Sequence, residues 1–253
     1  MSGSAPASAT WLKEVVCGFG QDWGMRDPRT GGGVLPARER PYTLVLVAVL
    51  VTVAVTADVL VGGPLRHLDG RAFADGLPAR SDAWHAGWRT VVNGGQYWLV
   101  GSITAVVSVV VARRRRSPGL LIRAGVWLVT SELVIRGAQI VLARTPPRTG
   151  QDTFFTDGFL SYPSGHAANA AACLLFMAAV TGASRRWTAA AHAMAVAVAV
   201  ATVALGYHWP TDAVAGWGLG ALLACAGRAL VVPRRPSGPY VRHTLHHREA
   251  DRI

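Results

Sequence analysis

Two short stretches of this 253-residue chain hold its most reactive side chains. One reads Pro163-Ser164-Gly165-His166, the other Gly206-Tyr207-His208-Trp209-Pro210-Thr211-Asp212, and each runs straight into an apolar segment. Ser164 and Gly165 sit where a helix opens, and the free backbone N–H groups and positive dipole end there form an anion site. Gly165 lets an anion approach the backbone closely, and His166 is placed to give or take a proton. His208 and Asp212 are spaced i, i+4, which puts them on one helical face. The carboxylate can then fix the imidazole tautomer and stabilise its charged form. Pro210 suits a first helical turn. Two histidines, an anion cradle and an orienting aspartate describe transfer of an anionic group through a covalent histidine.

The elements that must hold these residues are apolar. Hydrophobic residues make up 51% of the chain and charged residues 15%, with a mean hydropathy of +0.30. A soluble domain usually carries about a quarter charged residues, and the same figures exclude a disordered chain or a coiled coil. Apolar runs cover about residues 42–62, 96–112, 119–143, 165–183, 187–206 and 211–232. Each comes close to the ~20 residues that cross the hydrocarbon as a helix, and lipid-facing backbone must be helical. The fold expected is all-α, a bundle of six transmembrane helices over residues 41–232. Alanine-rich fourth and fifth spans suit close helix packing. Residues 1–40 lack an apolar core, so a cleaved signal peptide is not expected. They read as a flexible tail, with Trp11–Val16 a short interfacial helix. Residues 233–253 read as a basic tail. Between the first two spans, residues 63–95 with Trp84, His85 and Trp88 suit an amphipathic surface stretch, or a lid over a lipid site.

Charge sets the orientation without reference to any motif. The chain holds 25 Lys+Arg against 14 Asp+Glu, a net charge of +11. With the amino terminus inside, the inner segments hold 16 basic residues and the outer ones 6. Arg113 to Arg116 form the firmest inner anchor. This is the positive-inside pattern; it places both termini in the cytoplasm and the two reactive loops, about 144–164 and 206–211, outside. The arginines cluster at span ends, and no nucleic-acid motif accompanies them. Cys17, Cys173 and Cys225 have no metal-type spacing. His243, His246 and His247 lack an acidic or cysteine partner and read as a solvated terminus, so neither metal nor cofactor is expected.

On these residues the chain resembles the type 2 phosphatidic acid phosphatase superfamily, which shares its core with the vanadium-dependent haloperoxidases. Three motifs mark that family: Lys-x6-Arg-Pro, Pro-Ser-Gly-His and Ser-Arg-x5-His-x3-Asp. The second is complete at Pro163–His166, and the His-x3-Asp of the third is complete at His208 and Asp212. The resemblance implies that His208 is the nucleophile, Asp212 its orienter and His166 the acid that protonates the leaving oxygen, with Ser164 and Gly165 helping to hold phosphate. It implies a multi-pass cell-membrane enzyme that hydrolyses a lipid phosphate or diphosphate at the extracytoplasmic surface through a phosphohistidine. Its partners would be that substrate and the surrounding lipids.

The family's three cationic phosphate ligands are absent from their places. Aligning Ala143-Arg144-Thr145-Pro146-Pro147 on Gly-Arg-Pro-Arg-Pro puts Gln139 where the lysine belongs and Pro146 at the first motif's arginine. Thr202, preceded by Ala201, stands at the third motif's arginine. Phosphoryl transfer rests on positioning and charge stabilisation, so other cations must serve an active enzyme. Arg136, one turn before Gln139, and the loop residues Arg144 and Arg148 are the candidates. For Arg136 the competing reading is an i, i+4 ion pair with Glu132; for Arg144 and Arg148 it is interfacial anchoring. A family member turned lipid-binding scaffold, or repurposed for an isoprenoid diphosphate, is the alternative function.

Overall fold

A computed structural model describes residues 41–77 and 83–231. The tails expected at 1–40 and 233–253, and the helix expected at Trp11–Val16, lie outside the described residues. Among those residues the chain forms eight α-helices and no strand. They are α1 (Pro41–Val61), α2 (Pro64–Ala72), α3 (Ala83–Asn93), α4 (Tyr97–Arg114), α5 (Pro118–Leu142), α6 (Gly165–Thr181), α7 (Arg185–Ala204) and α8 (Pro210–Val231). A single 3-10 turn, Pro147–Thr149, lies in the loop between α5 and α6.

Five helices, α1, α4, α5, α7 and α8, are long and apolar enough to cross a membrane. Their outward faces fit that role: Leu46, Leu50 and Val53 on α1, and Ile122, Val126, Val129 and Leu133 on α5, are exposed. The sequence leads one to expect six spans of similar length, and here the structure differs. The fourth, α6, is apolar but only 17 residues long, about 26 Å at ~1.5 Å per residue against ~30 Å of hydrocarbon. Its position supplies the reason. It packs against α4, α5, α7 and α8, with ten of its 17 residues buried and none exposed. A helix enclosed by protein does not have to match the thickness of lipid.

Small residues bring α8 onto α6. A Cβ on Gly216 would strike the Ser164 carbonyl, and one on Gly220 the Ala168 carbonyl. The i, i+4 spacing of these glycines lays their bare backbone along one stripe. Further along, Gly227 faces Trp127 and Phe176, whose rings stack with centroids 3.9 Å apart. This docking joins the two reactive stretches: the Ser164 N–H donates to the Asp212 carbonyl at 2.9 Å.

The segment 63–95 is more than a surface stretch. Its helix α2 sends Asp69, fully buried, to the first turn of α8, where it accepts from the Thr211 N–H at 3.0 Å and from the Thr211 hydroxyl. Helix α3 packs on α7, with Trp84 and Trp88 meeting edge to face.

Candidate active site

The start of α6 and the start of α8 open on one cavity of about 140 Å³. Gly165, His166 and Asn169 line it from α6, His208 from the turn before α8, Arg136 and Gln139 from α5, and Gln96 and Tyr97 from the start of α4. A larger groove of about 610 Å³ lies between α7 and α8, but aliphatic side chains and Trp217 line it and it offers no chemistry.

His208 is held through Nδ1. That nitrogen lies 2.8 Å from the Ser161 carbonyl oxygen, which can only accept, so Nδ1 carries the proton and donates it. The Nε2 lone pair is thereby left free. Asp212 Oδ2 stands 3.6 Å from Nδ1, beyond hydrogen-bond reach. The direct orienter is thus the backbone of Ser161, with Asp212 one step behind. Asp212 accepts from the Ser161 hydroxyl at 2.5 Å, from the Trp209 N–H at 3.0 Å and from Arg144 Nη1 at 2.7 Å. Its bond to Trp209 is the backward reach of a capping box, because Asp212 is the third residue of α8 and Trp209 precedes its first. The His-x3-Asp spacing therefore serves helix initiation as well as charge.

His166 faces His208 with ring centroids 6.0 Å apart, and its buried Nε2 has no hydrogen-bond partner among the described residues. A buried polar atom left unpaired is costly, and here it borders the cavity. Asn169, only 5% exposed, makes no side-chain hydrogen bond to the described protein and also borders it. Gly165 opens α6, so a helix N-terminus points its amides at the same space. Ser164 differs from its expected role. It is fully buried, and its hydroxyl accepts from the Ala167 N–H at 3.4 Å as the N-cap of α6. Its side chain caps the helix and is not among the residues that line the cavity.

The three candidate cations separate cleanly. Arg144, expected as a phosphate ligand, is fully buried behind Asp212. Its Nε donates to Asp152 at 2.7 Å, its Nη1 to Thr211 and Asp212 at 2.8 and 2.7 Å, and its Nη2 to Asp69 and Asp152 at 2.8 and 2.9 Å. A guanidinium has five N–H donors, and all are used. Phe154 and Trp209 close over its carbon at 5.0 and 5.3 Å. Arg144 is a positioning residue for Asp212, and the geometry leaves it nothing to offer a phosphate. Arg148 bonds the Leu205 and Gly206 carbonyls and lies 4.7 Å over the Tyr207 ring, bracing the α5–α6 loop against the His208 turn. It is not among the residues that line the cavity.

Arg136 does line the cavity, and it also makes the competing ion pair. Its Nε donates to Glu132 at 2.9 Å and its Nη1 to Gln139 Oε1 at 3.2 Å. Gln139, in the lysine's place, is buried and donates to the Leu160 and Pro163 carbonyls at 2.9 and 3.1 Å. It bridges the Pro-Ser-Gly-His loop to Arg136. Thr202, in the arginine's place, is buried and bonds the Ala199 carbonyl of its own helix.

Asp69 and Asp152, both bonded to Arg144, are shifted in opposite directions. Burial pushes Asp69 above the ordinary carboxylate range, against hydrogen bonds from Thr211 and Arg144 that lower it. Asp152 feels burial too, but hydrogen bonds from Arg144 and Arg66 outweigh it and hold its carboxyl below that range. Sequence reasoning missed Ser161, Gln96, Tyr97, Asn169 and Asp69. Ser161 acts on His208 through its backbone carbonyl, which residue type does not reveal. The others lie outside both motifs, and only the packing of α2, α4 and α6 brings them in.

Residues 121–236 match the model of the PAP2 superfamily. Among solved structures, the chain is similar to a transmembrane PAP2-type phosphatidylglycerolphosphate phosphatase from Bacillus subtilis. That likeness has 18% identity and a TM-score of 0.50 over 75% of this chain and 94% of the other. It is a likeness of fold. No curated protein matches the chain. The matched residues, a little under half of the chain, include His166, His208, Asp212 and the whole of helices α6, α7 and α8; over that stretch the chain is similar to the PAP2 superfamily.

Proposed function

We propose that the protein hydrolyses the phosphoric ester of a membrane lipid through a covalent phosphohistidine on His208. One observation carries the reading. The Ser161 carbonyl fixes the proton of His208 on Nδ1, so the nucleophilic Nε2 is free, while the unpartnered His166 Nε2 stands across the same cavity. In the first step the His208 Nε2 lone pair forms an N–P bond, and the P–O bond to the leaving group breaks. The departing oxygen keeps that electron pair and takes the proton of His166. Water then attacks phosphorus with His166 as base, the N–P bond breaks, and its electrons return to His208. The α6 N-terminus and Arg136 hold the phosphoryl oxygens. The positive-inside count supports a cavity at the extracytoplasmic surface, with both termini in the cytoplasm.

A phosphate-release assay on detergent-purified protein with a panel of lipid phosphates tests the reading. Turnover by the wild type and its loss in a folded His208→Ala protein are the expected results. Acid-labile label retained on wild-type but not His208→Ala protein would identify the intermediate. Undiminished activity in His208→Ala would rule the mechanism out. A second reading draws on the spent Arg144 and on Gln139, Pro146 and Thr202: a lipid-binding protein without turnover. It predicts no phosphate release from any member of the panel.

A further inference from the structure

We infer that the cavity selects a singly charged phosphodiester of a lipid over a doubly charged phosphomonoester; this rests on the hydrolytic reading above and narrows its substrate class. Among the described residues that line the cavity, Arg136 is the one permanent cation. Its charge is already shared with Glu132 at 2.9 Å. The remaining full positive charge available is the proton His166 must carry to act as an acid. One phosphoryl charge can therefore be matched, with help from the partial charge of the α6 N-terminus. The second charge of a dianionic monoester would meet no full cation, and an unmatched charge in a buried site is strongly disfavoured.

The rest of the wall points the same way. Where a second and third cation could stand, the cavity has carboxamides: Gln139, Gln96 and Asn169. Those of Gln96 and Asn169 make no hydrogen bond to the described protein, and Asn169 is buried against the cavity, with 5% exposure. Uncharged donors and acceptors suit the oxygens of a second ester substituent or its hydroxyl groups. They add nothing to the neutralisation of a phosphate dianion. Attack by His208 on such a diester expels one substituent as an alcohol, protonated by His166. Water then releases the other as a phosphomonoester, so atoms and charge balance without a further reactant.

The test compares phosphatidylglycerol with phosphatidic acid of identical acyl chains in mixed micelles, reading kcat/KM from pH 5.5 to 8.5. At pH 8 the diester should be preferred by about tenfold or more, the effect of about one charge-assisted bond. The monoester rate should climb as pH falls through its second ionisation, near pH 6 for a phosphate monoester, while the diester shows no such rise relative to it. Two variants add a cation where the wild type has none to spare. Glu132→Gln frees Arg136, and Gln139→Lys puts an ammonium on the cavity wall; each should move the preference toward the monoester by roughly tenfold. A wild type that prefers the monoester at pH 8 overturns the inference and leaves the hydrolytic reading standing. So does a ratio that neither variant moves. No turnover of either lipid, with no label on His208, brings down the hydrolytic reading and the inference together.

Discussion

Two polar regions meet at the start of α8, and they are built on opposite principles. Behind Asp212 lies a cluster of buried charge: Arg144 with Asp69, Asp152 and Asp212, and Arg66 bonded to Asp152 at 2.8 Å. Every donor of Arg144 has an acceptor. In front of His208 lies the cavity, where the buried His166 Nε2 has none among the described residues. Buried ionic groups are tolerated when fully paired, and orphan polar groups persist when something outside the chain completes them. The satisfied region ties α2, the α5–α6 loop and α8 together; the unsatisfied one is the place where the proposed substrate would be read. A cation's value to the chemistry is therefore set by its unspent donors and not by its distance from the motif.

The largest effect should come from breaking the satisfied side. Arg144→Met would strand two buried carboxylates, Asp69 and Asp212, while Asp152 keeps Arg66; removing one partner from a buried ionic network typically costs about 3–5 kcal/mol. The thermal midpoint in detergent should fall markedly, and activity should be lost together with the fold. An Arg144→Met protein with wild-type stability and only a weakened KM would return Arg144 to the role of phosphate ligand.

Arg136→Gln should give the reverse pattern. Its ion pair is half-exposed, with 51% of the arginine side chain open, and exposed pairs contribute little stability. Loss of a charge-assisted bond to phosphate costs about 1.5–3 kcal/mol, or roughly 10- to 150-fold in kcat/KM. The midpoint should barely move. Unchanged activity with a lowered midpoint would assign Arg136 to Glu132 alone.

Much of this is legible in the sequence. The ~20-residue apolar runs marked α1, α4, α5, α7 and α8 to within a few residues, because hydrocarbon thickness leaves few alternatives. Pro163–His166 and His208-x3-Asp212 located the cavity, since helix starts and i, i+4 spacing are local properties. The run at 165–183 marked α6 as closely; its enclosure by four neighbours was not legible, because that is a tertiary fact. Nor was the allocation of the arginines. Arg144 reads in sequence as a cation beside a phosphate motif; only the arrival of Asp69, from a helix 75 residues earlier, shows its charge already committed. Ser161 was overlooked for a related reason: it holds His208 with a backbone carbonyl, and a main-chain acceptor leaves no mark on residue type.

The smallest expected effect separates the carboxylates within the Arg144 cluster by pH. Asp152 is held below its unfolded value of about 3.9. Its contribution to stability is present above that pH and drains away as pH falls toward the folded value. Asp69 is raised, so its contribution is present below about 3.9 and is lost as pH climbs through its folded value. Lowering the pH from 6 to 3.5 should therefore destabilise the protein through Asp152, while Asp69 opposes the loss. Asp152→Asn should flatten the acid side of a midpoint-against-pH curve, and Asp69→Asn should steepen it. The Asp152 side chain is 22% exposed, and solvent screening holds its effect to about 1 kcal/mol or less. Thermal midpoints of both variants in detergent across that range provide the measurement. Swapped slopes would mean that Arg144 commits its charge to α2 and not to the loop, and that Asp69 is the carboxylate that keeps it from the cavity.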